Sequence, residues 1–150
     1  MTREIFILGI GGQGAQTIGD ILLIAAKNKG YGASFYPFYG SQMRGGESGC
    51  IVKVDTDGND IINPTINSPD IFLILNDKFF DKYKIFEHDN SKYYKIESIN
   101  DKNLNLKLLK KYIDDSDIFN DDIIIEALKE RFKKEEVYNN KIAIYKGEIE

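Results

Sequence analysis

An apolar run, Ile5-Phe6-Ile7-Leu8, leads directly into Gly9-Ile10-Gly11-Gly12-Gln13-Gly14, and apolar residues then recur at Ile18, Ile21, Leu22 and Ala25. The run reads as a buried strand and the recurrence as one face of a helix. A strand that turns through glycines into a helix restricts the chain to an α/β architecture. The glycines have a physical role at such a turn: without Cβ atoms the backbone bends sharply and another group can approach it closely. The first amides of the following helix lack intrahelical partners and point outward, so this end attracts anions, at roughly 0.3–1 kcal/mol per exposed contact.

Gly9, Gly11 and Gly14 match the spacing G-x-G-x-x-G. The dinucleotide fingerprint also needs a carboxylate at the end of the next strand to hold a ribose. That region reads Ser34-Phe35-Tyr36-Pro37, without an acid or an arginine. NAD, NADP and FAD are therefore disfavoured. Two readings of the loop stay open: a tight turn that binds nothing, and a ligand-binding loop.

The 150 residues suffice for one domain, residues 1–150, with a core of its own. No apolar run is long enough to span a bilayer, and Met1-Thr2-Arg3-Glu4 lacks the form of a signal peptide. A cytoplasmic protein without membrane contact is expected. A net charge of -4 argues against nucleic acid, whose binders present a basic face. The single cysteine, Cys50, allows no intrachain disulfide, four-cysteine zinc site or self-contained iron–sulfur cluster, and reads as a small buried strand residue. The single histidine, His88, lies in the hydrophilic stretch Glu87-His88-Asp89-Asn90 and reads as an exposed turn residue.

Glycine is unevenly spread: 12 of the 13 lie at or before Gly58, so the special backbone belongs to the first part of the chain. Lys27, Lys29 and Gly30 end the first helix. Ala33 to Tyr36 is expected as a second strand, paired in parallel with the first. Asp55 to Asp60 has hairpin character, with Ile61-Ile62 returning onto the Cys50–Val54 strand. Ile71 to Leu75 reads as a buried strand, Asn76-Asp77 as the cap of a short helix through Tyr83, and Ile85-Phe86 and Tyr93 to Ile96 as two shorter strands. Helices follow at Leu104–Leu109 and from Asp121-Asp122 through Phe132, and a third through Val137. Ile142 to Tyr145 suits helix or strand. The expected fold is α/β, a three-layer Rossmann-like domain with a mixed, mainly parallel sheet and helices on both faces.

The second loop, Pro37 to Gly49, holds four glycines, the aromatics Phe38 and Tyr39, and Arg44, one of only three arginines. A loop of this length is usually functional or disordered, and its aromatics and Met43 argue for the former. Both glycine loops should open at the carboxyl ends of adjacent parallel strands, where open α/β sheets bind ligands. Arg44 offers a forked donor for carboxylate or phosphate. Its alternative use is an internal salt bridge with Glu47. The candidate binding or interface residues are Gly11, Gly12, Gln13, Gly14, Tyr39, Gly40, Ser41, Gln42, Met43, Arg44, Gly45 and Gly46. No catalytic or metal-binding residue stands out.

These two loops, with Ser68-Pro69-Asp70-Ile71-Phe72-Leu73-Ile74-Leu75-Asn76 and Glu126-Ala127-Leu128-Lys129-Glu130-Arg131-Phe132, resemble the gamma subunit of the 2-oxoacid:ferredoxin oxidoreductases. The likeness is poor between Asn90 and Asn120. The resemblance implies an enzyme that decarboxylates a 2-oxoacid oxidatively and passes the acyl group to coenzyme A. Thiamine diphosphate, Mg and iron–sulfur clusters are then held by alpha, beta and delta partner subunits, and ferredoxin takes the electrons. The gamma chain helps to close the assembly and serves coenzyme A access, binds no cofactor alone, and is inert in isolation. A stand-alone phosphate- or nucleotide-binding module and a non-catalytic adaptor are the alternatives.

Overall fold

A computed structural model describes residues 1–40, 45–96 and 102–150. Its elements run β1 (Thr2–Ile10), α1 (Ala15–Asn28), β2 (Gly32–Tyr39), β3 (Glu47–Asp55), β4 (Ile71–Ile74), a 3-10 helix (Asp81–Phe86), β5 (Lys92–Lys95), α2 (Leu104–Asp115), α3 (Asp121–Phe132) and α4 (Glu135–Lys146). Among the described residues five strands form one sheet in the order β2-β3-β1-β4-β5. β1, β4 and β5 are parallel neighbours, and β3 is antiparallel to both β1 and β2. Four strands thus share a direction and only β3 is reversed, which makes the sheet mixed and mainly parallel.

Two strand pairings differ from the sequence expectation. β2 does not lie beside β1, because β3 is inserted between them. The physical reason is composition. β3 carries Cys50, Ile51, Val52 and Val54 and is buried along its whole length, whereas β2 is half exposed. The apolar strand takes the centre, and the one with Pro37 takes the edge. Gly40 N donates to Glu47 O at 2.8 Å. Antiparallel pairs alternate, so the Pro37 position, opposite Cys50, is one whose N–H would point away from β3. The missing donor therefore breaks no ladder bond.

The second correction concerns the hairpin. It is β2–β3, and Ile61-Ile62 does not return onto β3. β1 and β2 already pair with β3 from Glu47 or Ser48 to Asp55, which leaves it no free edge. Residues 56–70 instead turn at Gly58 and pass over one face of the sheet, leaving Ile62 96% exposed. The buried Glu4 and Lys53 fasten this segment: Glu4 accepts from the amides of Asn67 and Ser68, and Lys53 donates to Asn63 O at 2.7 Å.

Ile85-Phe86 is also not a strand, since both residues belong to the 3-10 helix. Asn76 closes a local turn by accepting from Lys78 N, and the helical turn starts at Asp81, later than expected. Ile142 to Tyr145 is helical, within α4.

The four α-helices pack on one face. Ile5, Ile7, Val52, Val54 and Leu73 meet Ile18, Ile21 and Leu22 of α1 and Leu108, Leu128 and Ile144 of the later helices. The opposite face has no α-helix among the described residues. Its layer is the 3-10 helix and the 56–70 segment, which cover Phe6, Leu8, Ile51, Phe72 and Ile74 with Phe80, Tyr83 and Ile66. The expected helices on both faces are therefore found on one face only, and a thin layer with a single 3-10 helix covers the other. Aromatic contacts supply what helix length does not: Phe6 lies 5.6 Å from Phe38 and 4.7 Å from Tyr83, and Phe72 stacks on Tyr93 at 4.8 Å. Among the described residues no helix is long and apolar enough to cross a membrane.

Cys50 is fully buried against α1, its Sγ 3.6 Å from Ala15 O. Burial, and then the charge of Asp20, push its thiol far up. The native thiol should react with an aromatic disulfide reagent more than ~100-fold more slowly than in guanidinium, where one thiol per chain should titrate. Full reaction of the native chain at the unfolded rate would contradict this environment.

Candidate functional site

The first glycine loop closes on itself. Gln13 N donates to Ile10 O at 3.2 Å, and Gln13 Oε1 accepts from Ile10 N at 3.0 Å. The side-chain oxygen that the sequence offered to a partner is therefore used within the loop, and it leaves no room at Gly9, where a Cβ would sit 2.9 Å from it. Gly12 and Gly14 have φ of 92° and 87°, a region that L side chains rarely enter, and this accounts for both glycines. Gly14 caps α1 in a left-handed conformation. No side chain caps the helix and its first turn holds no acid, so the positive end of the helix dipole is not neutralised from within.

The stems of the second loop lie against this turn. Gly11 N donates to Gly46 O at 2.9 Å, and Ile10 pairs with Glu47. The neighbourhood arises differently from the expectation. β1 and β2 both end where β3 begins, so the β2–β3 connection is delivered beside the β1–α1 turn across β3. Ser41, Gln42, Met43 and Arg44 lie outside the described residues; Tyr39, Gly40, Gly45 and Gly46 lie within them.

Between the loops lies a cleft of about 390 Å³, lined by Gly11, Gly12, Gly14 and Gln16 on one side and Tyr39, Glu47 and Ser48 on the other. Tyr39 is 69% exposed at its rim. Gln16 Nε2 donates to Gly49 O at 2.6 Å, and its buried Oε1 has no partner among the described residues. Glu47, 7% exposed, accepts hydrogen bonds from Lys82 Nζ and the Tyr83 hydroxyl. Burial, and then this carboxylate, push the Tyr83 phenol up. Glu47 is thus engaged by the 3-10 helix.

A smaller recess of about 140 Å³ lies on the other side of the first loop, where Gly12, Gly14 and Thr17 meet Asn105, Lys102 and Lys141. Among the described residues two ammonium groups and no carboxylate line it, and Asn105 Nδ2 donates to Gly14 O at 3.5 Å. Sequence reading missed these residues. They reach the loop from around the start of α2 and from α4, and nothing in a lysine-rich sequence distinguishes Lys102 or Lys141 from its neighbours.

A larger cavity, about 720 Å³, lies at the other end of the sheet, roughly 25 Å away along β1. It holds His88, which opens the turn through Asn90 as expected but is half-buried and not exposed. Nε2 lies 3.0 Å from Asp70 Oδ1, and Nδ1 accepts from Asn90 N. Arg3 is paired with Asp117 at 2.7 Å, and the Tyr94 hydroxyl donates to Asp115. These pairs tie β1 and β5 to the end of α2, and the start of β4 to the segment before β5. Among the described residues no cluster of three or more His, Cys, Asp or Glu could hold a metal. One fully buried cysteine does not fit an iron–sulfur cluster either.

The molecule is thus an α/β domain whose loop cleft is built largely from backbone, with no reactive constellation in it among the described residues. Residues 4–96 match the family model described as pyruvate ferredoxin/flavodoxin oxidoreductase, and the chain belongs to that family. It is 38% identical over 77 residues to the ketoisovalerate oxidoreductase subunit VorA of Methanothermobacter thermautotrophicus, a match covering 51% of this chain and 16% of VorA. It is 35% identical over 78 residues to the pyruvate/ketoisovalerate oxidoreductases common subunit gamma of Thermococcus kodakarensis, covering 52% of this chain and 42% of that one.

Solved structures extend the likeness in fold to nearly the whole chain. The pyruvate oxidoreductase subunit PORC of Thermotoga maritima superposes with a TM-score of 0.71 at 18% identity, covering 97% of this chain and 94% of the other. A 2-oxoglutarate:ferredoxin oxidoreductase from Magnetococcus marinus, with 2-oxoglutarate, coenzyme A and succinyl-CoA bound, gives 0.80 at 15% identity, covering 97% of this chain and 30% of that one. The fold is that of the gamma subunits.

Proposed function

We propose that this chain works as the gamma subunit of a cytoplasmic 2-oxoacid:ferredoxin oxidoreductase, joining alpha, beta and delta partners and serving coenzyme A access. The observation that carries the reading is the bond from Gly11 N to Gly46 O, which sets two glycine loops side by side around one cleft. The uncapped start of α1, with Lys102 and Lys141 behind it, suits a phosphate of coenzyme A or a carboxylate of a partner chain. Arg44 supplies a charge-assisted contact to the same partner or ligand. In this reading decarboxylation and electron transfer belong to the partner subunits, and the buried single cysteine of this chain suits that division for the clusters.

Arg44→Ala tests the proposal in the assembled enzyme. Loss of a charged hydrogen bond, about 1.5–3 kcal/mol, should raise the apparent KM for coenzyme A or the dissociation constant of the complex by roughly 10- to 100-fold. Unchanged assembly together with unchanged kinetics removes the role given to Arg44. Failure of the chain to co-purify with a thiamine-containing subunit removes the assignment itself.

The two-lysine recess favours one second reading, a stand-alone phosphate- or nucleotide-binding module. Calorimetric binding of a nucleotide to the isolated chain, with no partner subunit retained, would select it.

A further inference from the structure

Glu47 stands where both loops meet. Its carbonyl accepts from Gly40 N, its backbone pairs with Ile10, and the residue before it accepts from Gly11 N. Its side chain is only 8% exposed and turns to the opposite face of the sheet from the α-helices, where Lys82 and Tyr83 of the 3-10 helix bind it. Tyr83 is in turn held against Phe6 at 4.7 Å and Phe38 at 5.7 Å. A buried carboxylate keeps its place only while its partners hold it. The thin layer of the fold is therefore connected to the loop stems through the Glu47 side chain and the Phe38 ring, and Glu47 carries the polar part of that connection.

We propose that Lys82 and Tyr83 are positioning residues for the glycine-loop cleft, acting through Glu47. They reach neither the cleft nor a ligand in it. They fix the carboxylate, the carboxylate fixes the backbone at Gly46 and Glu47, and that backbone receives the amides of Gly11 and Gly40. The 3-10 helix then becomes a second surface from which the cleft can be altered. This part of the inference rests on the assembly role given above.

The test is amide hydrogen exchange of the folded chain, comparing wild type with Tyr83→Phe, Lys82→Met and the double variant. Tyr83→Phe keeps the ring packing, and Lys82 is half exposed, so both variants should fold. In the double variant, exchange at Gly11 and Gly40 should become about tenfold faster. The Leu75 amide, bonded to Leu8 O at 2.8 Å just past the end of β4 and away from the β2–β3 stems, should not change. Lys82→Arg, which keeps a cation in reach of Glu47, should retain slow exchange at the two glycines.

Unaltered exchange at Gly11 and Gly40 overturns the proposal. An equal rise at Leu75 also overturns it, because Glu47 would then serve global stability alone. The yield of a co-expressed thiamine-containing subunit on the tagged chain is measured separately. Faster exchange at the two glycines with full yield supports the positioning role and counts against the cleft as a docking surface.

Discussion

Gly49→Ala should destabilise the protein by about 2 kcal/mol, within the 1–3 kcal/mol usual for overfilling a packed site. Gly49 lies in the middle of β3, paired with Leu8 on one side and Phe38 on the other. A Cβ there would stand 2.4 Å from the Phe38 ring and 2.5 Å from Ile7 O. Ile7 is in the central strand and its carbonyl cannot retreat. Phe38 can move only by giving up its contacts with Phe6 and Tyr83. The better strand propensity of alanine offsets roughly 0.5–1 kcal/mol of the loss. Urea unfolding should show a lower midpoint with an unchanged slope. Shrinking the neighbour, in Gly49→Ala with Phe38→Leu, should recover part of the difference relative to Phe38→Leu alone. A midpoint equal to wild type would mean that the thin face of the sheet repacks freely.

Gly14→Ala should have the largest effect at the candidate site, because two penalties coincide. Its φ of 87° opposes any L side chain by roughly 1–2 kcal/mol. Its Cβ would also lie 2.4 Å from Asn105 Nδ2. Gly12 separates the two terms: its φ is 92°, yet a Cβ there meets nothing within 4 Å among the described residues. Gly12→Ala should therefore lose about the backbone term alone, and Gly14→Ala should lose more. Adding Asn105→Ala should reduce the excess at Gly14 to the Gly12 level, referred to the Asn105→Ala parent. Under the proposed assembly role, Gly14→Ala should also weaken binding at the loop, since α2 and the recess behind it must shift. Equal losses at Gly12 and Gly14 would show that Asn105 yields without strain and that the contact between α2 and the loop is loose.

How far the sequence could be read follows from the range of the interactions involved. β1, α1 and β4 are marked by apolar runs and helical spacing within a few residues. The start of α3 is marked by Asp121 and Asp122 behind Asn120, which caps the helix by accepting from Ile123 N. The end of α1 is marked by Gly30, whose φ is 78°. Such signals are local, and they held. Gly11, Gly12 and Gly14 could be picked out for the same reason, because a left-handed turn or a close backbone approach selects glycine wherever it occurs. The resemblance to the gamma subunits came from two loops that each fit in one short stretch.

Other features depended on which surfaces compete for the same place. Ala33–Tyr36 looked like a partner for β1 until β3, more apolar and without proline, took that edge. Ile61-Ile62 looked like the return of a hairpin, but β3 had no edge left to offer. Gln13 looked outward in the sequence, yet its oxygen turns back to the Ile10 amide. Lys102, Lys141 and Asn105 come to the first loop, and Lys82 and Tyr83 to Glu47, across sequence separations over which residue spacing has no memory. The sequence by itself determined the elements and the glycine turns, since these rest on backbone sterics and local burial. Only the tertiary structure decided the strand order, the joining of the two loops and the groups around them, since these rest on packing and hydrogen bonds between segments distant in the chain.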